Sequence, residues 1–155
     1  MSGRIDARLD ELGIVLPKAL PPAANYVPFT LAGGLLFVAG QVSVTADGRR
    51  IVGKVGADLT LEDAHEAARA CAINLLAQAR LACGGDLDRI AACVKLGGFV
   101  NATADFTDHP KVLNGASDLM VDVLGEKGRH ARFAVGAASL PFNVAVEIDG
   151  VFALD

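Results

Sequence analysis

Residues 129–149, RHARFAVGAASLPFNVAVEID, contain two short apolar segments that are typical of strands joined by a turn at Leu140-Pro141. The first segment carries Arg132 and the second carries Glu147. Charged side chains are rare on buried strands unless they have a partner. The stretch therefore poses one question, which is whether these two side chains bind each other or bind a ligand.

The neighbours of Arg132 along its strand are small. Alternation puts Arg132 on the same face as Ala134, Gly136 and Ala138. Because these residues have little or no side chain, the guanidinium would stand beside a hollow that suits a small carboxylate ligand. The alternative is a cross-strand ion pair between Arg132 and Glu147. The residues alone leave both interpretations open.

The remaining pattern predicts an α+β fold of one domain over residues 1–155, with a helix and link at 1–20 and a core at 23–153. We expect a mixed, mainly antiparallel sheet backed by two helices, with an extra N-terminal helix. The predicted elements are a helix at 5–12, a proline-rich link at 16–22, a hairpin at 27–39, a strand at 51–55, a helix at 60–83, a strand at 92–100 and a helix at 107–124.

The second arm of the hairpin, residues 35–39, is a continuous apolar run that predicts a strand covered on both faces. It ends at Gly40-Gln41, where the missing side chain allows close approach of backbone or a ligand. In the last predicted helix, Asn114 and Ser117 fall on or beside the apolar face. A local hydrogen bond and a site role are equally compatible with Asn114.

Composition limits the function classes. The chain of 155 residues is 52% hydrophobic, but no run of about 18 apolar residues predicts a membrane span. The net charge of −4 and the absence of a Lys/Arg cluster exclude a typical nucleic-acid-binding surface. A high apolar fraction without a membrane segment indicates buried subunit interfaces.

Cysteine and histidine usage predicts a reduced, cytoplasmic chain without a metal site. The three cysteines are odd in number and lack C-x-x-C spacing. His65, His109 and His130 show no metal-ligand spacing. His130, just before the arginine strand, could reach the rim of a pocket, but we expect it to lie at the surface. Motifs of phosphate-binding loops, serine hydrolases and zinc proteases are also missing from the sequence.

Several motifs together resemble one family. ARFAV at 131–135, Leu140-Pro141 and VEI at 146–148 resemble the C-terminal signature of the Rid family, the reactive-intermediate imine/enamine deaminases, also called YjgF-like or L-PSP endoribonuclease-like. Further matches follow in the family's order from about residue 23 to residue 153, at Tyr26, Gly40-Gln41, Phe99-Val100 and Asn114. GKVG at 53–56 and NGAS at 114–117 are similar to a longer subgroup of that family.

The resemblance implies a chorismate-mutase-like fold and a homotrimer with pockets between subunits. It implies hydrolysis of small 2-imino or enamine carboxylates to 2-keto acids and ammonia, without a cofactor. In this comparison Arg132 holds the substrate carboxylate, and Glu147 positions or activates water. The remaining implied pocket residues are Tyr26, Gly40, Asn114 and, through its backbone, Ala134.

The sequence departs from the family pattern at three pocket positions. Ala134 stands where many members have Cys, Ala39 replaces a Ser, and Asn25 replaces a Pro before Tyr26. The lost hydroxyl at Ala39 keeps a second hypothesis open, in which the trimer binds or senses a small carboxylate without turnover. The family's endoribonuclease label is a weaker third option, because the chain is acidic.

Overall fold

A computed structural model describes residues 3–19 and 25–155. The helices are α1 (Arg4–Glu11), α2 (Leu61–Ala82) and α3 (His109–Leu124). The strands are β1 (Phe29–Ala32), β2 (Leu35–Val42), β3 (Ile90–Asn101), β4 (Ala131–Ala137) and β5 (Val146–Leu154). Pro21 and Pro22 of the predicted link, and the predicted start of the core at residue 23, lie outside the described residues.

The five strands form one sheet in the order β1-β2-β5-β3-β4. The β3-β4 pair is parallel and the other pairs are antiparallel. Helices α2 and α3 pack together, and α2 covers β2 and β5 while α3 covers β3 and β4. The predicted α+β class, the mixed sheet with two backing helices and the extra N-terminal helix are therefore confirmed.

The two strands of residues 129–149 do not lie side by side, as the cross-strand ion pair between Arg132 and Glu147 would require. Strand β3 lies between them, paired with β4 on one side and with β5 on the other. The connection makes a short 3-10 turn, Pro141–Asn143, in which Phe142 and Asn143 have positive φ values of 57° and 58°. This turn carries the chain past the end of β3, so the two strands cannot form a hairpin.

Residues that pair directly on neighbouring strands point to the same face of the sheet. The pairing therefore shows which residues lie on a buried face and which lie on an open face. Leu36 pairs with Phe152 and Gly98 pairs with Ile148, and these residues are buried beneath the helices. The helices approach each other closely at Gly115, where a Cβ would lie 2.1 Å from the backbone oxygen of His65. Any larger residue at position 115 would push α2 and α3 apart.

The other face of the sheet is not covered by any described element. Phe37, which pairs with Val151, is 41% exposed, and Phe99 is 40% exposed. The prediction that β2 is covered on both faces is therefore wrong for one chain. The continuous apolar pattern of 35–39 arises because β2 combines a core face with an open apolar face.

Residues 51–55 do not form the predicted strand. Ile51 bonds with Ser43 and Ala145, whereas Gly53 bonds with Asn143 and Val55 with Asn101. Because successive residues bond to different segments, only isolated bridges form at Val52 and Val55. Positive φ values at Gly53 and Gly56 also interrupt an extended backbone.

The predicted helix ends are close to the observed ones. Thr60 caps α2, accepting from the Asp63 N–H at 3.1 Å, while the Asp63 carboxylate accepts from the Thr60 N–H at 3.0 Å. Pro110 lies in the first turn of α3. The three cysteines are buried free thiols, as predicted. Among the described residues, no helix is long and apolar enough to cross a membrane.

A residue far away in sequence anchors helix α1. The Asp88 carboxylate accepts from the Arg4 N–H at 2.8 Å and from the Ile5 N–H at 2.9 Å. It therefore caps a helix whose own N-cap residue, Gly3, has no side chain. The buried side chains Ile5 and Leu9 then attach α1 to the core.

Asp88→Ala should lower the free energy of unfolding by about 1 kcal/mol and Tm by roughly 2–4 °C, because two helix donors lose their acceptor. Asp88→Asn should lose less, since an amide oxygen remains. The N–H groups of Ile5 and Arg4 lower the pKa of Asp88. The cap therefore stabilises the fold above the ordinary Asp pKa and is lost as pH falls through the lowered value.

Thermal and urea unfolding, compared with Asp118→Ala, test this role. Asp118 is also acidic and exposed, on α3. Equal stability of the two alanine variants would show that Asp88 does not cap α1.

Candidate active site

Arg132 faces the helices and is held by α3. It pairs with Leu96 of β3, which is fully buried, so its side chain leaves the sheet on the helix side. Its Nη1 donates to Ser117 Oγ at 3.0 Å and its Nη2 donates to the Pro110 carbonyl at 3.2 Å. These two bonds leave further guanidinium N–H groups available, and the side chain is half-buried.

Ser117 links Arg132 to a histidine. His130 Nδ1 lies 2.6 Å from the Gly128 carbonyl, and His130 Nε2 lies 2.8 Å from Ser117 Oγ. A carbonyl oxygen only accepts, so neutral His130 carries its proton on Nδ1 and its Nε2 accepts from the Ser117 hydroxyl. Arg132, Ser117, His130 and Gly128 thus form a continuous hydrogen-bonded chain at the edge of the sheet.

Two of the small residues beside Arg132 lie against other parts of the chain. Ala134 packs against the hydrophobic core. At Gly136 an added Cβ would lie 2.7 Å from His109 Nε2, so the first turn of α3 covers this position. The small side chains at these positions make room for α3, and no described strand pairs with the outer edge of β4.

Glu147 lies on the open face of the sheet. It pairs with Phe99 of β3 and with Val42 of β2. Gly40 is next to it, since a Cβ on Gly40 would lie 2.7 Å from Glu147 Oε2. A group does approach Gly40 closely, but it is the side-chain carboxyl of Glu147 and not backbone or a ligand. Desolvation, with a smaller contribution from Asp149, raises the pKa of Glu147.

Arg132 and Glu147 do not form the ion pair that was the alternative interpretation. They lie on strands two spacings apart, about 10 Å, and their partners Leu96 and Phe99 face opposite sides of the sheet. Among the described residues, no ion pair includes either side chain. One chain therefore presents a free cation on one face and a half-buried carboxyl on the other.

The remaining candidate residues are exposed. Asn114 is exposed, in a shallow cavity of about 420 Å³ between α2 and α3 that His65, Lys111 and Asp118 also line. Tyr26 is 49% exposed in the segment before β1. The structure brings Gly40 to Glu147 and Ala134 to the face of Arg132, but it does not unite these two groups within one chain.

A larger cavity lies elsewhere. Its volume is about 680 Å³, and residues 13–15, the loop at 45–52 and α2 line it. It contains none of the predicted site residues, so cavity size and the predicted chemistry point to different places. We favour the Arg132 region, because a half-buried cation with defined hydrogen bonds is more specific than an open cavity. No cluster of metal-ligating side chains occurs in the described part of the chain.

Sequence reasoning missed the roles of Ser117 and His130. Ser117 stands seven residues after Pro110, and this spacing returns to the same face of a helix, so both groups reach Arg132. His130 is two residues before Arg132 and was expected at the surface. It is half-buried instead, because its ring lies between Gly128 and α3. The helical spacing was visible in the sequence, whereas the packing of α3 on β4 was not.

Comparisons with known proteins give a consistent assignment. Residues 6–153 match the sequence profile of the family described as "YjgF/chorismate_mutase-like, putative endoribonuclease". Protein TCP17 of Trypanosoma cruzi is 48% identical, over 99% of this chain and 96% of its own length.

Two crystal structures share the fold at high similarity. A protein of unknown function from Agrobacterium tumefaciens is 49% identical with a TM-score of 0.90, covering 97% of this chain and 94% of that one. A "putative endoribonuclease" from Shewanella oneidensis is 32% identical with a TM-score of 0.93, covering 98% of this chain and all of that one. The predicted YjgF-like membership and chorismate-mutase-like fold are confirmed.

Glu147→Gln should change how stability depends on pH. Because the folded protein raises the pKa of Glu147, the folded state binds more protons than the unfolded state above the ordinary value of about 4.3. The stability that wild type gains from protonated Glu147 is therefore lost as pH rises through the raised pKa, whereas the glutamine variant shows no such loss.

Urea unfolding of both proteins from about pH 4 to about pH 8 measures the difference. The variant should gain stability relative to wild type as pH rises, and the difference should become constant above the raised pKa. A difference that stays flat across this range would contradict a burial-shifted Glu147.

Proposed function

We propose that this chain, which belongs to the YjgF/chorismate mutase-like family, hydrolyses small 2-imino or enamine carboxylates to 2-keto acids and ammonia in the cytoplasm. The observation that carries the proposal is the state of Arg132. Its guanidinium is half-buried, fixed by Ser117 and Pro110, and without a carboxylate partner among the described residues. A cation prepared in this way is suited to bind the carboxylate of a ligand.

The reaction needs little beyond orientation and proton transfer. An imine carbon next to a carboxylate is already electrophilic, so a positioned water can attack it. Arg132 would hold the carboxylate with its remaining N–H groups. A carboxyl group with a raised pKa, such as Glu147, suits the transfer of a proton to the leaving amine. No resident cofactor is part of this scheme.

The two groups would meet only between subunits. Arg132 and Glu147 face opposite sides of the sheet in one chain, so a shared site requires Glu147 from a neighbouring copy. The exposed apolar residues of the open face favour such an assembly, and they include Phe37, Phe99, Phe133 and Val135. We propose a homotrimer, as the family resemblance implies.

The other predicted pocket residues fit this arrangement in different ways. Gly40 leaves room for the Glu147 carboxyl. Ala134 lies on β4, whose second edge is unpaired, so its backbone can reach a ligand or a neighbouring subunit. Tyr26 and Asn114 would join the pocket where a neighbouring chain brings them to Arg132.

A second candidate is a trimer that binds a small carboxylate without hydrolysing it. The separation of Arg132 from Glu147 favours this alternative, since one chain holds an anion anchor without that carboxyl in reach. Thermal stabilisation by 2-oxobutanoate with no turnover of imines would support it. The ribonuclease description of the family finds little support here, because the net charge is −4 and phosphate contacts need basic residues.

Wild type should accelerate hydrolysis of freshly generated 2-iminopropanoate. Arg132→Ala should lower kcat/KM by about 10- to 100-fold, because it removes charged hydrogen bonds to the carboxylate. Arg129→Ala is the matched control, since Arg129 is exposed and paired with Glu126. Hydrolysis monitored by keto-acid formation would refute the proposal if wild type gave no acceleration or Arg132→Ala matched it.

Sedimentation equilibrium should give about three times the chain mass of 16.0 kDa. Phe133→Lys should weaken this assembly, because it places a charge on the open apolar face. Leu81→Lys changes a similarly exposed apolar residue at the end of α2 and should leave the assembly intact. A wild-type monomer, or equal effects of the two lysines, would contradict an interface on this face.

A further inference from the structure

We infer that Ser117 and His130 form a proton relay that activates the hydrolytic water at the Arg132 site. This inference rests on the proposed function and extends it. It assigns Ser117 as a catalytic residue that touches the water, and His130 as the group that holds the proton behind it. The sequence alone assigned Ser117 no role and favoured a surface position for His130 over one at a pocket rim.

The hydrogen bonds of Ser117 define what it can accept. Its proton points to His130 Nε2 at 2.8 Å, and one lone pair accepts from Arg132 Nη1 at 3.0 Å. A hydroxyl oxygen has a second lone pair, which these bonds leave open. A water or substrate group beside Arg132 can therefore donate to Ser117 while Ser117 donates to His130.

The tautomer of His130 sets the direction of the relay. The Gly128 carbonyl accepts from Nδ1 at 2.6 Å and thereby leaves Nε2 unprotonated in neutral His130. The imidazole is thus ready to receive a proton, as in sites where a third group orients the base. Here a backbone carbonyl supplies that orientation.

The location of the relay matches that of the substrate. Ser117 contacts the guanidinium that would hold the carboxylate, so an imine carbon one bond from that carboxylate lies close to the hydroxyl. Glu147 of the same chain lies on the opposite face of the sheet and cannot reach this point. The relay is the acid–base pair that contacts Arg132 directly.

The proposed reaction begins with the attack of water on the substrate and conserves protons and electrons. Water attacks the carbon of the protonated imine, and the electron pair of the C=N bond moves to nitrogen. The water proton passes to Ser117 as the Ser117 proton passes to His130 Nε2. A carboxylic acid, which the proposed function assigns to Glu147 of a neighbouring subunit, then protonates the amine.

The C–N bond next breaks with its electron pair on nitrogen, and the former acid recovers a proton from the hydroxyl group. The products at this stage are the 2-keto acid and ammonia. His130 returns its proton through Ser117 to the departing ammonia, which leaves as ammonium.

The decisive variant is His130→Ala, because it removes the base and leaves the Ser117–Arg132 bond in place. In 2-iminopropanoate hydrolysis it should lower kcat by about 100-fold and leave KM nearly unchanged. Added imidazole should restore part of kcat. Ser117→Ala should also lower kcat, whereas Ser117→Thr, which keeps the hydroxyl, should retain most of it.

Arg129→Ala is the matched control, since Arg129 is next to His130 in the sequence but is exposed and paired with Glu126, and it should leave kcat unchanged. The relay is overturned if wild type is active and Arg132→Ala is defective, but His130→Ala keeps its kcat or is not rescued by imidazole. In that case the proposed function still stands. Inactive wild type would instead refute the proposed function and the relay with it.

Discussion

The position of β3 between β4 and β5 is the constraint on which the rest of the molecule depends. Pairing with Leu96 turns Arg132 toward the helices, and pairing with Phe99 turns Glu147 toward the open face. The chain therefore separates the guanidinium that we propose as a carboxylate anchor from a carboxyl group with a raised pKa. Arg132 is positioned by β4 and Glu147 by β5, and neither side chain neutralises the charge of the other. A second subunit is then the natural means of joining them.

The separation of Arg132 from Glu147 fits an association of subunits through the open face of the sheet and the free edge of β4. Exposed phenylalanines on one side of the sheet would be costly in an isolated chain, and association would remove them from water. The same association can bring Glu147 of one copy toward Arg132 of another. Stability of the assembly and formation of the site would thus depend on the same surface.

The sequence was sufficient for the parts of the fold that local rules govern. The capping pair Thr60 and Asp63 marks the start of α2, and Pro110 marks the first turn of α3. The order of the strands was not accessible to such rules. Residues 129–149 have the pattern of a hairpin, and only the pairing of both strands with β3 separates them. Residues 51–55 similarly look like a strand, but their hydrogen bonds go to three different segments.

The candidate site was predictable in its residue types and less so in its geometry. Arg132 and Glu147 were recognisable as charges on apolar strands, and Gly40 as a point of close approach. The partners of Arg132 depend on how α3 lies across β4, which no local pattern encodes. For this reason Ser117 and His130 emerge from the structure as partners in the hydrogen-bonded chain at Arg132.

Subunit mixing tests the central claim, that Arg132 and Glu147 act together across an interface. Arg132→Ala and Glu147→Gln chains would be unfolded together, refolded at equal amounts and assayed with 2-iminopropanoate. In a symmetric trimer with shared sites, about a quarter of the sites would combine an intact Arg132 with an intact Glu147. We therefore expect activity well above that of either parent. Activity no higher than the average of the two parents would contradict the shared site.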